Sequence, residues 1–366
     1  MTTRCARLAG LVLLLALGPA GAATLRVETL AEGLEHPWSL AFLPDGAMLV
    51  TERAGRLRYI DPQGDLASEP ITGLPEDIHV QAQAGLKEIA LAPDFADTGR
   101  VYLTHACGSR QANALCLTRA RFAEHALHDR ETIFRTRPER QGSAHYGGRI
   151  AFLPDGTLLL THGDGFVYRE QAQRPENHLG SLLRLNPDGT APADNPAIAD
   201  AAPETWSYGH RNIQGIVHDP ATDTVWVAEH GPRGGDELNR VRPGGNYGWP
   251  LATHGVDYTG ARITPHTSLP GMADPLWTWT PALAPGGMTR YSGDLFPHWE
   301  GDLLIAGLAG KSVRRMVVDA NGVDEAEILF RDRGERLRDI RTGPGGALYL
   351  LTDYADGRLL RVTPAD

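Results

Sequence analysis

Six stretches of the chain share one rhythm. An apolar residue leads into a proline-bearing turn, and a short apolar run follows. The copies begin at Phe42 (FLPDGAMLVTER), Leu91 (LAPDFADTGRVYLTHA), Phe152 (FLPDGTLLLTHGDG), Val217 (VHDPATDTVWVAEHG), Leu295 (LFPHWEGDLLIAGLAG) and, more loosely, Thr342 (TGPGGALYLLTDYADG). Each is followed by a second run: GRLRYID, LTRARF, SLLRLN, DELNRV, SVRRMVVD and GRLLRVT. These second runs alternate apolar residues with arginine or other polar residues, as a strand with one wet face does. Six strand-rich copies at irregular spacings, roughly 45 to 80 residues, are the signature of a propeller. The predicted fold is all-β, a six-bladed β-propeller with four-stranded antiparallel blades. The longest insertions fall at about Asp164–Ser181 and Gly244–Leu276. The early segment TLRVETLAEGL has no upstream partner, so it is predicted to join the last blade and close the ring. No helix-period segment of useful length and no linker interrupts residues 23–366, which read as a single domain.

The first 22 residues break the pattern. Two arginines precede the apolar run LAGLVLLLALG, and Ala20-Gly21-Ala22 offers a small-residue cleavage site. This is the layout of a secretory signal peptide, and the competing reading, an uncleaved anchor, needs a longer apolar run. Export predicts a periplasmic or secreted protein with no stable membrane insertion. Of three cysteines, Cys5 lies in the leader, while Cys107 and Cys116 flank a hairpin turn and are predicted to form a disulfide in an oxidising compartment. The 366 residues are 42% hydrophobic and 22% charged, with 42 glycines and 26 prolines, a turn-rich globular composition. The net charge of −10 is not broken by a basic stripe, which argues against nucleic acid as a partner.

Four clusters stand where chemistry is plausible. His145 lies ahead of Gly-Gly-Arg, and Asp164 sits between two glycines, each at one end of the third repeat's first strand pair. A carboxylate beside an imidazole fixes its tautomer and makes a general base; the competing reading is that each residue caps a turn. Arg211, Asn212 and Gln214 form a second cluster, suited to a planar carboxylate or an oxyanion, or simply a self-satisfied polar loop. Glu229, Asp236 and Glu237, in a Gly-Pro-rich segment, offer oxygen ligands for calcium without EF-hand spacing. Arg336 and Arg338 alternate on one strand, and same-face arginines repel unless an anion lies near; a solvated face is the alternative.

Together these clusters carry a resemblance. The ordered set QAGL…LAPDF, HYGGRI…GDG, GHRNIQG, EHGPRGGDELN, NYGWP and RLRD…GPGGALYLLTD resembles the soluble quinoprotein sugar dehydrogenases, and more closely their periplasmic aldose sugar dehydrogenase branch. The likeness runs from about Leu25 to Pro364. It implies pyrroloquinoline quinone (PQQ) and calcium as cofactors and oxidation of the anomeric carbon of an aldose to a lactone. By position, the resemblance implies that His145 is the base, Asp164 its partner, and Arg211 the stabiliser of charge on the quinone. It implies further that Gln83, Asn212, Arg336, Arg338 and Tyr258 contact the cofactor or line its pocket. Cofactor-bound calcium would rest on main-chain oxygens of Gly231 and Pro232, and a further calcium on Glu237 and Tyr247. One departure stands out. Glucose-oxidising relatives carry a lysine where this chain has Ala309, and Lys311 comes two residues later. The loops after Asp164 and around Tyr258 are shorter than in the glucose-specific branch, implying a more open pocket. The implied partners are a small aldose and an unidentified electron acceptor, for a monomer or homodimer. A calcium-dependent lactonase-type propeller and a non-catalytic binding propeller are the alternatives.

Overall fold

The repeated turn is built identically where its sequence is Pro-Asp-Gly. Leu43 N–H donates to Ala47 O at 2.8 Å, and Asp45 Oδ1 accepts from Ala47 N at 3.0 Å. One repeat pair later, Leu153 N–H donates to Thr157 O at 2.9 Å and Asp155 Oδ1 accepts from Thr157 N at 2.9 Å. The aspartate satisfies the backbone two residues on, so the turn reverses the chain without help from the rest of the fold.

The computed structural model describes residues 24–319 and 322–365; the expected leader, residues 1–22, lies outside them. Six antiparallel sheets follow in chain order. Blade 1 holds Pro37–Phe42, Met48–Glu52 and Arg56–Ile60. Blade 2 holds Leu86–Leu91, Arg100–Gly108, Asn113–Ala123 and Ala126–Arg135. Blade 3 is Ile150–Phe152, Leu158–Thr161, Ser181–Leu185 and Thr205–Tyr208, and blade 4 is Ile213–Asp219, Thr224–Glu229, Asp236–Val241 and Trp277–Trp279. Blade 5 is Pro285–Arg290, Leu303–Gly307, Ser312–Asp319 and Gly322–Leu329. Blade 6 takes Leu337–Thr342, Leu348–Thr352 and Gly357–Pro364, and the early strand Leu25–Leu34 pairs with Gly357–Pro364 to close the ring. Blade 1 departs from the expected four strands. Its fourth position is held by two isolated bridges, Ile60 to Leu66 and Leu57 to Ile71, in a segment where Pro70 and Pro75 lack the donors a ladder needs. Cys107 and Cys116 are bridged, as expected. Among the described residues, no helix is long and apolar enough to cross a membrane.

The apolar runs are continuous because both faces of each blade are buried. In blade 3, Leu158, Leu160, Leu183 and Leu185 pack against Tyr102, Leu115 and Leu117 of blade 2. Their neighbours Leu159 and Leu182 turn the other way, onto Ile213 and Val227 of blade 4. Alternation therefore chooses which neighbouring blade a side chain meets.

Toward the axis the innermost strands change character. Register shifts interrupt five of them, at Pro37/Ser39, Leu86/Ile89, Ile213/Gly215, Pro285/Met288 and Leu337/Asp339. Such bulges re-aim side chains. One result is a buried ionic cage across the axis. Arg149 Nη1 lies 2.9 Å from Glu88 Oε2 and 3.1 Å from Asp339 Oδ1. Arg341 completes it at 2.6 Å from Glu88 and 3.0 Å from Asp339. Ser39 Oγ donates to Glu88 Oε1 at 2.9 Å, and Arg149 Nε donates to Gln214 O at 2.8 Å. Five blades thus meet in one charge-balanced group. Glu88→Ala leaves buried Arg149 and half-buried Arg341 to share Asp339 alone and is expected to cost about 3–5 kcal/mol of unfolding free energy, read by urea titration. A loss under about 1 kcal/mol would show that the cage does not hold the blades.

Candidate active site

Two glycine-bearing loops, Ser143–Arg149 and His162–Gly165, press together at the mouth of blade 3. A Cβ on Gly147 would meet Thr161 O at 2.7 Å, and one on Gly163 would meet His145 O at 2.4 Å. Only residues without side chains allow this approach. It brings His145 Nδ1 to 2.7 Å from Asp164 Oδ1. The ionised carboxylate only accepts, so the proton is assigned to Nδ1 and Nε2 keeps its lone pair. His145, at a left-handed φ of 52°, is held by its own N–H, which donates to Gln83 Oε1 at 2.9 Å.

Asp164 is fully buried and satisfied three ways. Besides His145, it accepts from Phe166 N at 2.7 Å and from Trp249 Nε1 at 2.8 Å. Burial works to raise its carboxyl, but the His145 hydrogen bond, the His145 and Arg211 charges and the Phe166 N–H outweigh that and hold it below the usual range. For His145 burial is the largest influence. It lowers the imidazole against the pull of Asp164, and the Arg211 and Arg140 charges lower it further. A buried imidazole that resists protonation, beside an ionised carboxylate, has the electronic state of a base.

Arg211 lies beside this pair. Its Nη1 donates to His230 O at 3.1 Å and Gly231 O at 2.5 Å, and its Nη2 reaches Tyr258 Oη at 3.4 Å. Its guanidinium stands 5.2 Å from the Trp249 ring centroid, while its Nε is buried without a protein partner. The exposed Phe166 ring meets His145 edge-on at 5.1 Å and lies 6.2 Å from Tyr258. Asn212 Oδ1 accepts from Gly147 N at 3.2 Å, tying the blade 4 entry to the His145 loop.

Two cavities adjoin. The inner one, about 200 Å³, is lined by Gln83, Asn212, Arg336 and Arg338 among the expected residues. It also takes in His36, Trp38, Arg53, Lys87 and Asp353, none of which was expected. The outer one, about 500 Å³, is lined by Gly231, Pro232, Asp236, Tyr258 and Ala309; His230 and Ala284 belong to both. Arg336 and Arg338 do converge, but on an internal anion. Each places an Nη2 3.0 Å from Asp353 Oδ2. Burial works to raise Asp353, but Arg338, Arg336 and His36 together hold it far below the usual carboxylate range. Even so, four basic side chains, Arg53, Lys87, Arg336 and Arg338, face one carboxylate in the inner cavity. Lys311 is exposed on its turn and lines neither cavity.

The acidic segment is more committed than its composition implied. Glu229 accepts from His210 Nδ1 at 2.8 Å and Arg211 N at 2.6 Å, and Asp236 from Gly231 N at 2.7 Å and Ala284 N at 2.6 Å. Both serve to shape loops. Glu237 accepts from Asn239 Nδ2 at 3.0 Å, and burial with Glu229, Asp236 and Asp274 nearby pushes its carboxyl up to about 8. Tyr247 spends its hydroxyl on Arg240 O and Arg242 N, both at 2.9 Å, and stacks on His210.

A family model described as glucose/sorbosone dehydrogenase matches residues 34–361. The chain belongs to that family. It is 41% identical over 353 residues to the aldose sugar dehydrogenase YliI of Escherichia coli K12, covering 94% of each. Its fold matches a crystal structure of a glucose dehydrogenase at a TM-score of 0.89 and 43% identity, over 93% of this chain and 100% of the other. The PQQ-bound aldose sugar dehydrogenase of Streptomyces coelicolor matches at 0.76 and 28% identity, over 94% and 100%. This chain is thus a dehydrogenase-family propeller, with the His145–Asp164 pair beside a basic inner cavity.

Trp249 was not expected at this site. Trp249→Phe removes one donor from a buried carboxylate and is expected to cost about 1–3 kcal/mol of stability in urea unfolding. An unchanged midpoint would mean that the indole N–H is replaceable by water.

Proposed function

We propose that this protein oxidises the anomeric carbon of aldoses to lactones, using PQQ and calcium, with His145 as the base. The observation that carries the reading is the buried His145–Asp164 pair beside a cavity with four basic side chains against one carboxylate. That donor set suits a small polyanion such as the tricarboxylate PQQ, and buried Arg338 Nε is without a protein partner. When bound, PQQ supplies an ortho-quinone that accepts the hydride. Gln83, Asn212, Arg336, Arg338 and Tyr258 would hold or flank it.

The chain's own groups do the rest. His145 Nε2 takes the anomeric hydroxyl proton while Asp164 keeps Nδ1 protonated and stabilises the imidazolium that forms. Arg211 keeps a fixed positive charge beside the base, where negative charge is stabilised without reorganisation. Calcium fits at two places. Gly231 and Pro232, which border the outer cavity, would give main-chain oxygens to the cofactor's calcium, with Gly231 O exchanging its bond from Arg211 for the ion. Glu237, crowded by other carboxylates, is the acid whose charge a divalent ion would restore, with Tyr247 beside it. A lactonase would need several carboxylates free to converge on metal-bound water, and Glu229 and Asp236 are spent on loop backbone and His210. The disulfide is consistent with an oxidising compartment. We accordingly take residues 1–22 as a signal peptide and residues 23–366 as one periplasmic or secreted catalytic domain. A separate acceptor would take up the electrons.

The test is reconstitution of the purified protein with PQQ and calcium, then an aldose and an electron-accepting dye. Dye reduction is expected; lactone hydrolysis without dye reduction would overturn the reading. His145→Ala should lower kcat by about 10²–10⁴-fold with PQQ affinity retained. Because burial lowers His145 from 6.5, the rate should fall only as pH drops through a value below 6.5. An acid limb centred above 6.5 would remove His145 as the base.

Calcium is tested separately on protein free of PQQ. A chelator should lower the thermal midpoint by roughly 5 °C, and Glu237→Gln should be insensitive to it. A wild-type midpoint indifferent to the chelator would remove the Glu237 site.

A further inference from the structure

Lys87 is the least explained charge in the molecule. It is 3% exposed, yet it makes no ion pair among the described residues. Its Nζ donates once, to Gln83 O at 2.6 Å, leaving two N–H groups without a described acceptor. It stands 5.2 Å from the Trp38 ring centroid and 5.3 Å from that of Tyr146. Burial, and the charges of Arg338, Arg53, Arg149 and Arg140, hold its amine well below the ordinary lysine range. A buried amine facing arginines is costly, and among the described residues one carbonyl and the faces of Trp38 and Tyr146 offset it without any carboxylate in an ion pair.

The repeat explains its position. Trp38, Lys87, Gln214 and Arg338 each stand six residues ahead of their repeat's turn proline, Pro44, Pro93, Pro220 and Pro344. Each falls within the register shift of its innermost strand, and all four line the inner cavity. The corresponding residue of blade 3 is Gly148, where an added Cβ would come within 2.9 Å of Lys87 Cδ. The missing side chain there is the space that the lysine stem occupies.

We propose that the Lys87 ammonium binds an oxyanion of the PQQ cofactor directly, as the counterpart on blade 2 of Arg338 on blade 6. The inference rests on the cofactor reading above and adds to it a residue outside the expected set. An anion in the cavity supplies the acceptor that the two remaining N–H groups lack, and it offsets the repulsion from the arginines.

The experiment is titration of PQQ into apoprotein, followed by tryptophan fluorescence, for wild type, Lys87→Met and Lys87→Gln, with thermal melts of each apoprotein. Both variants are expected to weaken PQQ binding at least ~10-fold. Lys87→Met should at the same time melt at or above the wild-type midpoint, because it removes an unpaired buried amine. That pairing is not what loss of a structural contact gives. Wild type binding PQQ, with both variants binding it equally well, overturns this inference and leaves the cofactor reading intact. Wild type failing to bind PQQ overturns the cofactor reading and this inference with it. A midpoint drop in Lys87→Met, with full affinity in Lys87→Gln, would assign Lys87 to packing and overturn the proposal.

Discussion

The cage of Arg149, Arg341, Glu88 and Asp339 is the constraint on which the rest of the propeller depends. A ring of six wedges is closed only by the hydrogen-bonded strand pairing in the last blade, and its axis is where the innermost backbones approach. Filling that axis with apolar side chains would leave it featureless. Filling it with two cations and two anions, each paired with the two of opposite sign, sets the rotation of every contributing blade. The bond from Arg149 Nε to Gln214 O extends the restraint to blade 4, and Ser39 Oγ extends it to blade 1. Because the charges balance, the cage does not need an external ion to stay buried.

The inner cavity lies one residue from this cage. Ser39, Glu88 and Asp339 make the cage, and the residues before them, Trp38, Lys87 and Arg338, make the cavity wall. In a regular strand those neighbours would point to opposite faces. The register shifts let both turn inward, so one irregularity provides both the plug and the site above it. The Arg149 guanidinium stacks 4.0 Å from the Trp38 ring centroid, so the plug also supports the wall directly.

This explains what the sequence made legible. The blades were readable because both faces of each sheet are buried, so the apolar runs stand out between proline turns. The His145–Asp164 pair was readable because glycines marked the two loops that must touch. Asp353, Trp249 and Lys87 were not. Asp353 comes from the loop after the Leu348–Thr352 strand, and nothing in its local spacing ties it to Arg336 and Arg338. Trp249 reaches Asp164 across 85 residues, from an insertion whose path no periodicity dictates. Lys87 sits in the strand Leu86–Leu91, whose local spacing does not mark it out. Its signal was the register of the repeat, the same offset from the turn proline that holds Arg338. Blade 1 kept only isolated bridges at its fourth position, where two prolines interrupt the pattern.

The division of charge around His145 follows from the same architecture. Blades 1, 2 and 6 contribute the basic inner wall, whereas the loop after blade 4's second strand, with Gly231, Pro232 and the committed Asp236, borders the outer cavity. Arg211 stands at the join, donating to Gly231 O and lying against Trp249, whose N–H fixes Asp164. A lysine there would offer a point charge and lose both the second nitrogen's reach to Tyr258 Oη and the flat face against the indole. The base, its carboxylate and the carbonyl loop are therefore linked through one planar cation. The geometry of His145 is thereby tied to the wall that an anion and a divalent ion would share.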